Sequence, residues 1–398
     1  MKRLYLFFLL FVFDAFSAMA NDGSYTASGG QLVPAVETEI SVQKEILTLK
    51  RNGDRLRVDV YYEFYNPLST VKNLLVGFVA PPPSGDVEYS KDAFIEQPYI
   101  SGFRVEMNGF YLNHKVALVH ENEYDFDTGE LVKDNTFKDG KPNALTQNEI
   151  DDCIKALEAD DLWGYPFDYV YHFNAQFVPG VNIVKHTYEY ELSSSVMHMF
   201  SFPYDLTPAC RWANGQIDDF TLIIDMGDIA SFRIPANFFD EVDRWKIHGI
   251  GVQKFDYEDE FYVNYAYRQF WIRDGYLEFN KKNFKPEGEL NILKQIEFFP
   301  EDESELLQCI LNGDFYDLDI DPDEWFWDGY SAQMARILKN LPFAYRGYVF
   351  KSKDLQALFE RAQWYEPAPT YVPNVNALPK GEQNWVRYWA DYKPKTQK

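Results

Sequence analysis

The chain has 398 residues, and 62 acidic side chains against 38 basic ones give a formal net charge of −24. That balance excludes a nucleic-acid binder, which needs clustered cations to neutralise phosphates, and it excludes bulk attraction to an anionic lipid surface. With 46% hydrophobic and 18% aromatic residues the chain is not a disordered acidic tail either.

Residues 1–20 have the layout of a secretory signal peptide: Lys2 and Arg3, then the apolar run Leu4 to Phe13, then small residues at Ala18-Met19-Ala20. The apolar run is too short to span a bilayer, and Asp14 ends it. No cysteine follows the expected cleavage point and no second long apolar segment occurs. The expectation is an exported protein, periplasmic or extracellular, with no transmembrane or lipid anchor after cleavage.

From about residue 38 to 295, within an expected β-sandwich region at 21–297, the dominant apolar period is two, the signature of strands. Leu56, Val58, Val60, Tyr62 and Phe64 alternate with polar or half-polar neighbours, after the hairpin signal Asn52-Gly53. Asn108-Gly109 and Asp274-Gly275 predict further hairpins, and Pro179-Gly180 predicts a turn between Tyr169–Phe177 and Val181–Tyr190. Phe220, Leu222, Ile224 and Met226 predict another half-buried strand. Asp125 to Lys141, rich in Asp, Gly, Lys and Asn, reads as a mobile surface loop. A helical insertion near 146–160 follows: Thr146 and Glu149 form a capping box, with Ile150, Cys153, Ile154 and Leu157 on one face. Many short strands joined by turns predict an antiparallel sandwich of one or two domains.

Residues 298–324 are densely acidic and read as a junction. Within them Asp317, Asp319, Asp321 and Asp323, with Asp328 beyond, stand at the ligand spacing of a calcium loop. However, Pro322 occupies the position where that loop needs a turn-making glycine, and Asp328 is shorter than the usual glutamate. A solvated acidic linker fits the run better, so no cofactor is expected and calcium is the one metal candidate. Beyond residue 325 the period becomes helical, at Met334, Ile337, Leu338 and Leu341, then Leu355, Leu358, Phe359 and Ala362, then Trp385, Tyr388 and Trp389. Ser352 is the expected N-cap of the middle helix. The fold expectation is therefore mostly β, an antiparallel sandwich, with a small α-helical C-terminal domain at 325–398.

Asn340, Phe343-Ala344-Tyr345-Arg346-Gly347-Tyr348-Val349-Phe350 and Trp364-Tyr365-Glu366-Pro367 resemble the YARHG domain, a small module of exported bacterial proteins. The motif is matched at Phe343, Ala344, Gly347, Tyr348, Phe350, Trp364 and Tyr365. Tyr345 and Arg346 stand where the family has Arg and His. Gly347 is expected to make a backbone turn. The segments Ala27 to Val33, Phe177-Val178-Pro179-Gly180, His186 to Tyr190 and Leu206 to Phe220 are similar, in that order, to an uncharacterised exported β-rich bacterial family. That likeness implies a β-sandwich and no activity.

Three cysteines, Cys153, Cys210 and Cys309, match no zinc spacing, and a Cys153–Cys210 disulfide stays open. The six histidines form no close metal pattern, and His172 and His186 are candidates to share a sheet. No nucleophile elbow, phosphate loop or dinucleotide loop is present. Trp325, Trp327, Trp364, Tyr365, Trp385 and Trp389 are candidate ligand-stacking rings, weighed against a core role, since a small module needs large rings inside. The functional expectation is a cell-envelope binding or assembly protein with an envelope protein or glycan as partner and no catalysis. Two alternatives are glycan or peptidoglycan recognition through the C-terminal tryptophans and an envelope hydrolase with a carboxylate pair.

Overall fold

Alternation of apolar and polar residues lays down the first hairpin, strands β2 (Ser41–Asn52) and β3 (Arg55–Asn66), which pair antiparallel through Asn52 and Arg55 across a turn at Gly53. The computed structural model describes residues 23–24, 29–36, 38–53, 55–80, 90–95, 98–124, 131–159, 165–191, 194–195, 198–236, 239, 244–260, 263–295, 302–315, 318 and 329–394. The expected signal peptide lies outside the described residues. In β3 the side chains of Leu56, Val58, Val60, Tyr62 and Phe64 are buried as their spacing predicts.

Among the described residues, two main sheets build the β region. Strands β1 (Leu32–Pro34), β4 (Lys72–Ala80), β8 (Phe167–Phe177) and β7 (Lys115–His120) form a four-stranded sheet in the order β1-β4-β8-β7. The larger sheet contains β5 (Ile100–Met107), β6 (Phe110–Tyr111), β9 (Gly180–Glu191), β10 (His198–Asp205), β11 (Ile217–Asp225), β12 (Ala230–Pro235), β14 (Val263–Phe284) and β15 (Leu290–Gln295). Its order runs β10-β15-β12-β14-β11-β2-β3-β9-β5-β6, with β13 (Trp245–Glu260) on the other edge of β14. Most pairs are antiparallel, and β2 with β11 is parallel. Phe78 and Tyr171 of the smaller sheet meet Phe103, His186 and Tyr188 of the larger one in the shared core.

The turn signals resolve differently. Asn108 and Gly109 both adopt positive φ, 51° and 86°, and close β5 onto β6, which is the geometry a two-residue hairpin requires. Pro179-Gly180 closes no hairpin: β8 pairs with β4 and β7, while β9 pairs with β3 and β5, so the dipeptide carries the chain from one sheet to the other. His172 and His186 consequently lie in different sheets. Asp274-Gly275 makes no turn at all. Strand β14 runs through it, pairing with β12 at Tyr267–Ile272 and with β11 at Leu277–Phe284 along the same edge. Gly275 faces Gly249 across the β13 ladder, next to a register shift at Ile250–Gly251. A Cβ on Gly275 would sit 1.9 Å from the His248 carbonyl oxygen. The glycine permits close backbone approach where the sheet bends between two partners.

Helix α1 (Gln147–Glu158) has both halves of its capping box, and Ile150, Cys153, Ile154 and Leu157 pack on the β core. A second core gathers the C-terminal helices α3 (Ala332–Tyr345), α4 (Lys353–Phe359) and α5 (Lys380–Asp391). The acidic junction expected at 298–324 contains a further helix, α2 (Glu303–Asn312), whose Leu306, Ile310 and Leu311 enter that core. Its acidic residues Glu303 and Glu305 sit at the first turn, where Asp302 caps the N-terminus, while residues 316–317 and 319–324 of the junction lie outside the described residues. Ser352 flanks α4 but makes no capping bond, its hydroxyl being engaged by Asp354 and Arg336 instead. Cys153 and Cys210 are free, half-buried thiols.

Candidate functional site: a roofed sheet face and the C-terminal module

Along β8 the odd-numbered residues from Phe167 to Phe177 enter the core, which leaves Asp168, Val170, His172 and Asn174 on the opposite face of the smaller sheet. Of the stretch Asp125 to Lys141, expected as a mobile loop, residues 131–141 are described, and with 142–145 they fold down over that face. Asn143 and Leu145 bond the backbone of His120 and Leu118 at the edge of β7. A short ribbon pairs Phe137 with Pro142 and Lys138 with Lys141. Phe137 lies over Gly77 so closely that a Cβ there would be 2.5 Å from the Phe137 ring.

Two open clefts flank this ribbon. The first, about 600 Å³, is lined by His120, Glu121, Glu123, Lys133, Asp134 and Asn135 among others. The second, about 540 Å³, lies toward Lys115, His172 and Asn174. The first is held in shape by polar contacts. Lys133 pairs with Glu123 at 2.5 Å, and Arg211 pairs with Asp134. The Asn135 amide donates to the Glu121 carbonyl at 2.8 Å, and the Asn135 backbone N–H donates to Asn122 Oδ1 at 2.7 Å. Lys133 holds the Glu123 carboxyl below its ordinary range.

Asp168 stands at the β8 end of this face, 8% exposed. Burial, reinforced by the charge of Glu121, pushes its carboxyl up to about 7, against a backbone N–H bond from Asn122 that opposes the shift. Asp205, part of whose residue reaches the surface, is pushed up to about 8 by burial of its carboxyl and by Glu289 and Asp168. Deeper, Glu45 accepts from Gln31 Nε2 at 2.6 Å and has its carboxyl pushed up to about 8 by burial. The inward face of β9 carries His186, Tyr188 and Tyr190 into the core between the sheets. Among the described residues, nothing bonds the His186 ring nitrogens, the Tyr188 and Tyr190 hydroxyls or Glu45 Oε2.

In the C-terminal module, Trp364, Tyr365, Trp385 and Trp389 are all buried. These four do not form an exposed stacking platform. They fill a core too small to be closed by aliphatic side chains alone, and the polar edges of Trp364, Tyr365 and Trp385 serve the backbone. Pro342 interrupts α3 and lacks the N–H that would reach the Leu338 carbonyl, and Trp385 Nε1 donates to that carbonyl instead, at 2.7 Å. Trp364 Nε1 donates to the Ile310 carbonyl at 2.6 Å, and the Tyr365 hydroxyl donates to the Tyr348 carbonyl at 2.7 Å. Gly347 turns the chain after α3 with φ 75°, and its carbonyl accepts from the Ala368 N–H at 2.7 Å.

Residues 326–393 match the YARHG domain family.

Within the YARHG domain, Phe343, Ala344 and Phe350 are core residues, Tyr348 stacks edge-on against Phe350, and Asn340 bonds the Arg336 carbonyl at 2.7 Å. The two departures from the motif have their own structural roles. The Tyr345 hydroxyl donates to the Phe315 carbonyl, and Arg346 makes two bonds to Glu382, at 2.6 and 3.0 Å. A solved structure from Legionella pneumophila, described as a "putative nutrient binding protein", is similar over 92% of this chain and 99% of its own, at 15% identity and a TM-score of 0.46. No curated protein matches the sequence.

Trp325, Trp327, Asp317, Asp319, Asp321, Asp323 and Asp328 lie outside the described residues. Among the described residues no group of three or more His, Cys, Asp or Glu is placed to hold a metal, and no helix is long and apolar enough to cross a membrane. Sequence reasoning passed over Asp134, Asn135, Phe137 and Asp168. The available signal was Asp168 itself, a single charge inside the run Phe167 to Phe173.

Proposed function

We propose that this chain is an exported binding protein of the cell envelope, and that the cleft beside the Phe137 ribbon receives a small polar ligand such as a glycan fragment. The carrying observation is the cleft's construction. A recess of about 600 Å³ is walled by carboxylates, a lysine and an asparagine that ion pairs and backbone bonds hold in place before any ligand arrives. Preformed polar groups of both signs suit recognition of hydroxyl-rich or zwitterionic molecules. The YARHG domain, found on exported bacterial proteins, supports the envelope setting. Glycan stacking through the C-terminal tryptophans is left to Trp325 and Trp327.

Calorimetry of the full chain against peptidoglycan fragments, simple saccharides and amino acids tests the reading. Saturable binding by wild type, weakened tenfold or more (about 1.4 kcal/mol) in Lys133→Ala with an unchanged melting temperature, is the expected outcome. Binding that survives both Lys133→Ala and Asp134→Ala places the ligand elsewhere.

Asp168 supports a second reading, envelope hydrolysis. A carboxyl raised to about 7 by burial and by the charges of Glu121 and Asp134 is suited to hold a proton as a general acid. Under that reading Asp168→Asn abolishes turnover of a peptidoglycan fragment while leaving its binding intact.

A further inference from the structure

Strand β14 presents Trp271 and Arg273 on one face, two residues apart, while Phe270 and Ile272 on the other face belong to the β-region core. Both outward side chains end on carbonyl oxygens beside a glycine. Trp271 Nε1 donates to the Gly313 carbonyl at 3.0 Å, and Arg273 Nη1 donates to the Glu366 carbonyl. Gly313, with φ 84°, ends α2, and a Cβ on it would lie 2.1 Å from Trp271 Nε1 and 2.7 Å from Trp364 Cδ1. Gly347, the motif glycine, would with a Cβ approach Arg273 Nη1 and the Glu366 oxygen to 2.3 Å each. Each glycine therefore does more than turn the chain: it leaves open the space that one β14 side chain fills.

We propose that the YARHG domain together with the end of α2 is a receptor for an extended strand that displays a tryptophan and an arginine two residues apart, and that β14 is its resident ligand in this chain. The two slots read donor chemistry. An apolar side chain at the first would leave the Gly313 carbonyl without its indole donor, and a carboxylate at the second would face the Glu366 carbonyl oxygen with like polarity. The backbone of β14 is already committed to β12, β11 and β13, so recognition runs through side chains alone and needs no free sheet edge. The receptor grips the same outer face on which Arg233 of β12 approaches Asp314 at 3.5 Å, which gives the docked strand a neighbouring charge contact. This inference stands apart from the cleft, whose ligand plays no part in it.

The test uses the full chain carrying Trp271→Ala and Arg273→Ala together, with hydrogen exchange read at α3 and, as internal control, at β2 and β3. A blocked peptide of the sequence Tyr267 to Asp274 is then added. The expected result is saturable uptake by the double variant with restored α3 protection, no uptake by wild type whose slots are filled, and none of a peptide with alanine at both positions. A double variant that ignores the peptide, whether or not α3 stays protected, overturns the proposal. A second measurement needs no peptide. Gly313→Ala should accelerate α3 exchange about tenfold more in wild type than in a Trp271→Ala background, because the nearer clash partner is gone in the latter and only Trp364 remains close. Equal factors in the two backgrounds would mean that Gly313 is kept for its own backbone conformation, and the receptor reading fails.

Discussion

Glu45 has no exposed surface, and its carboxyl is pushed from an ordinary 4.5 to about 8. A group that binds its proton more tightly when folded stabilises the fold fully below its unfolded value, and that contribution is lost as pH rises through the folded one. For Glu45 the loss spans about pH 4.5 to 8, and Asp205 and Asp168 act in the same direction. His186 opposes them: burial lowers it to about 3, so its contribution is present above its ordinary 6.5 and lost as pH falls toward 3. Between pH 6 and 9 the carboxyls dominate. Denaturant unfolding should therefore show wild type losing stability over that range, and Glu45→Gln losing less. The gap in favour of the variant should widen by on the order of 2 kcal/mol. Parallel curves would mean that Glu45 is ionised in the folded protein.

At the scale of elements, two glycines that the sequence presents alike behave differently. Gly53 sits in a hairpin turn with open space around it, whereas Gly275 sits mid-strand against the His248 carbonyl. Gly53→Ala should lower stability by about 1 kcal/mol, the strain of left-handed backbone alone. Gly275→Ala must also separate β13 from β14, and its loss should exceed about 3 kcal/mol in the same denaturation assay. What was legible in the sequence was local. The alternation in β3, the Asn108-Gly109 turn and the Thr146–Glu149 box each depend on residues within a few positions of one another. Asp274-Gly275 and Pro179-Gly180 misled because a dipeptide permits a bend and says nothing of which strands flank it. The cleft was illegible for the same reason: Phe137 and Gly77, or Asp168 and Glu121, meet only once two sheets and a roof segment are assembled. The C-terminal motif was legible as a resemblance, but the rings nominated as a platform were indistinguishable by spacing from the core rings they are.

At the scale of the whole molecule, the described residues form two cores joined across β14, and Trp271 belongs by packing to the C-terminal one. A chain ending near residue 300 would leave that indole, with Val252 and Ile229 beside it, on an uncovered sheet face. Sedimentation should show such a fragment self-associating, and Trp271→Ser should return it to the monomer. A fragment that stays monomeric with Trp271 intact would show that the face tolerates water.

The parallel pairing of β2 with β11 also sets an order of events. Antiparallel β3 reaches β2 within moments of synthesis, but the other edge of β2, from Val42 to Lys50, must wait until Ile217 to Asp225 has been made. Throughout that interval the earliest hairpin presents an open edge to every other chain nearby. Folding of the β region is thus timed by a late segment, and the protein's hazard of misassembly is greatest while it is being born.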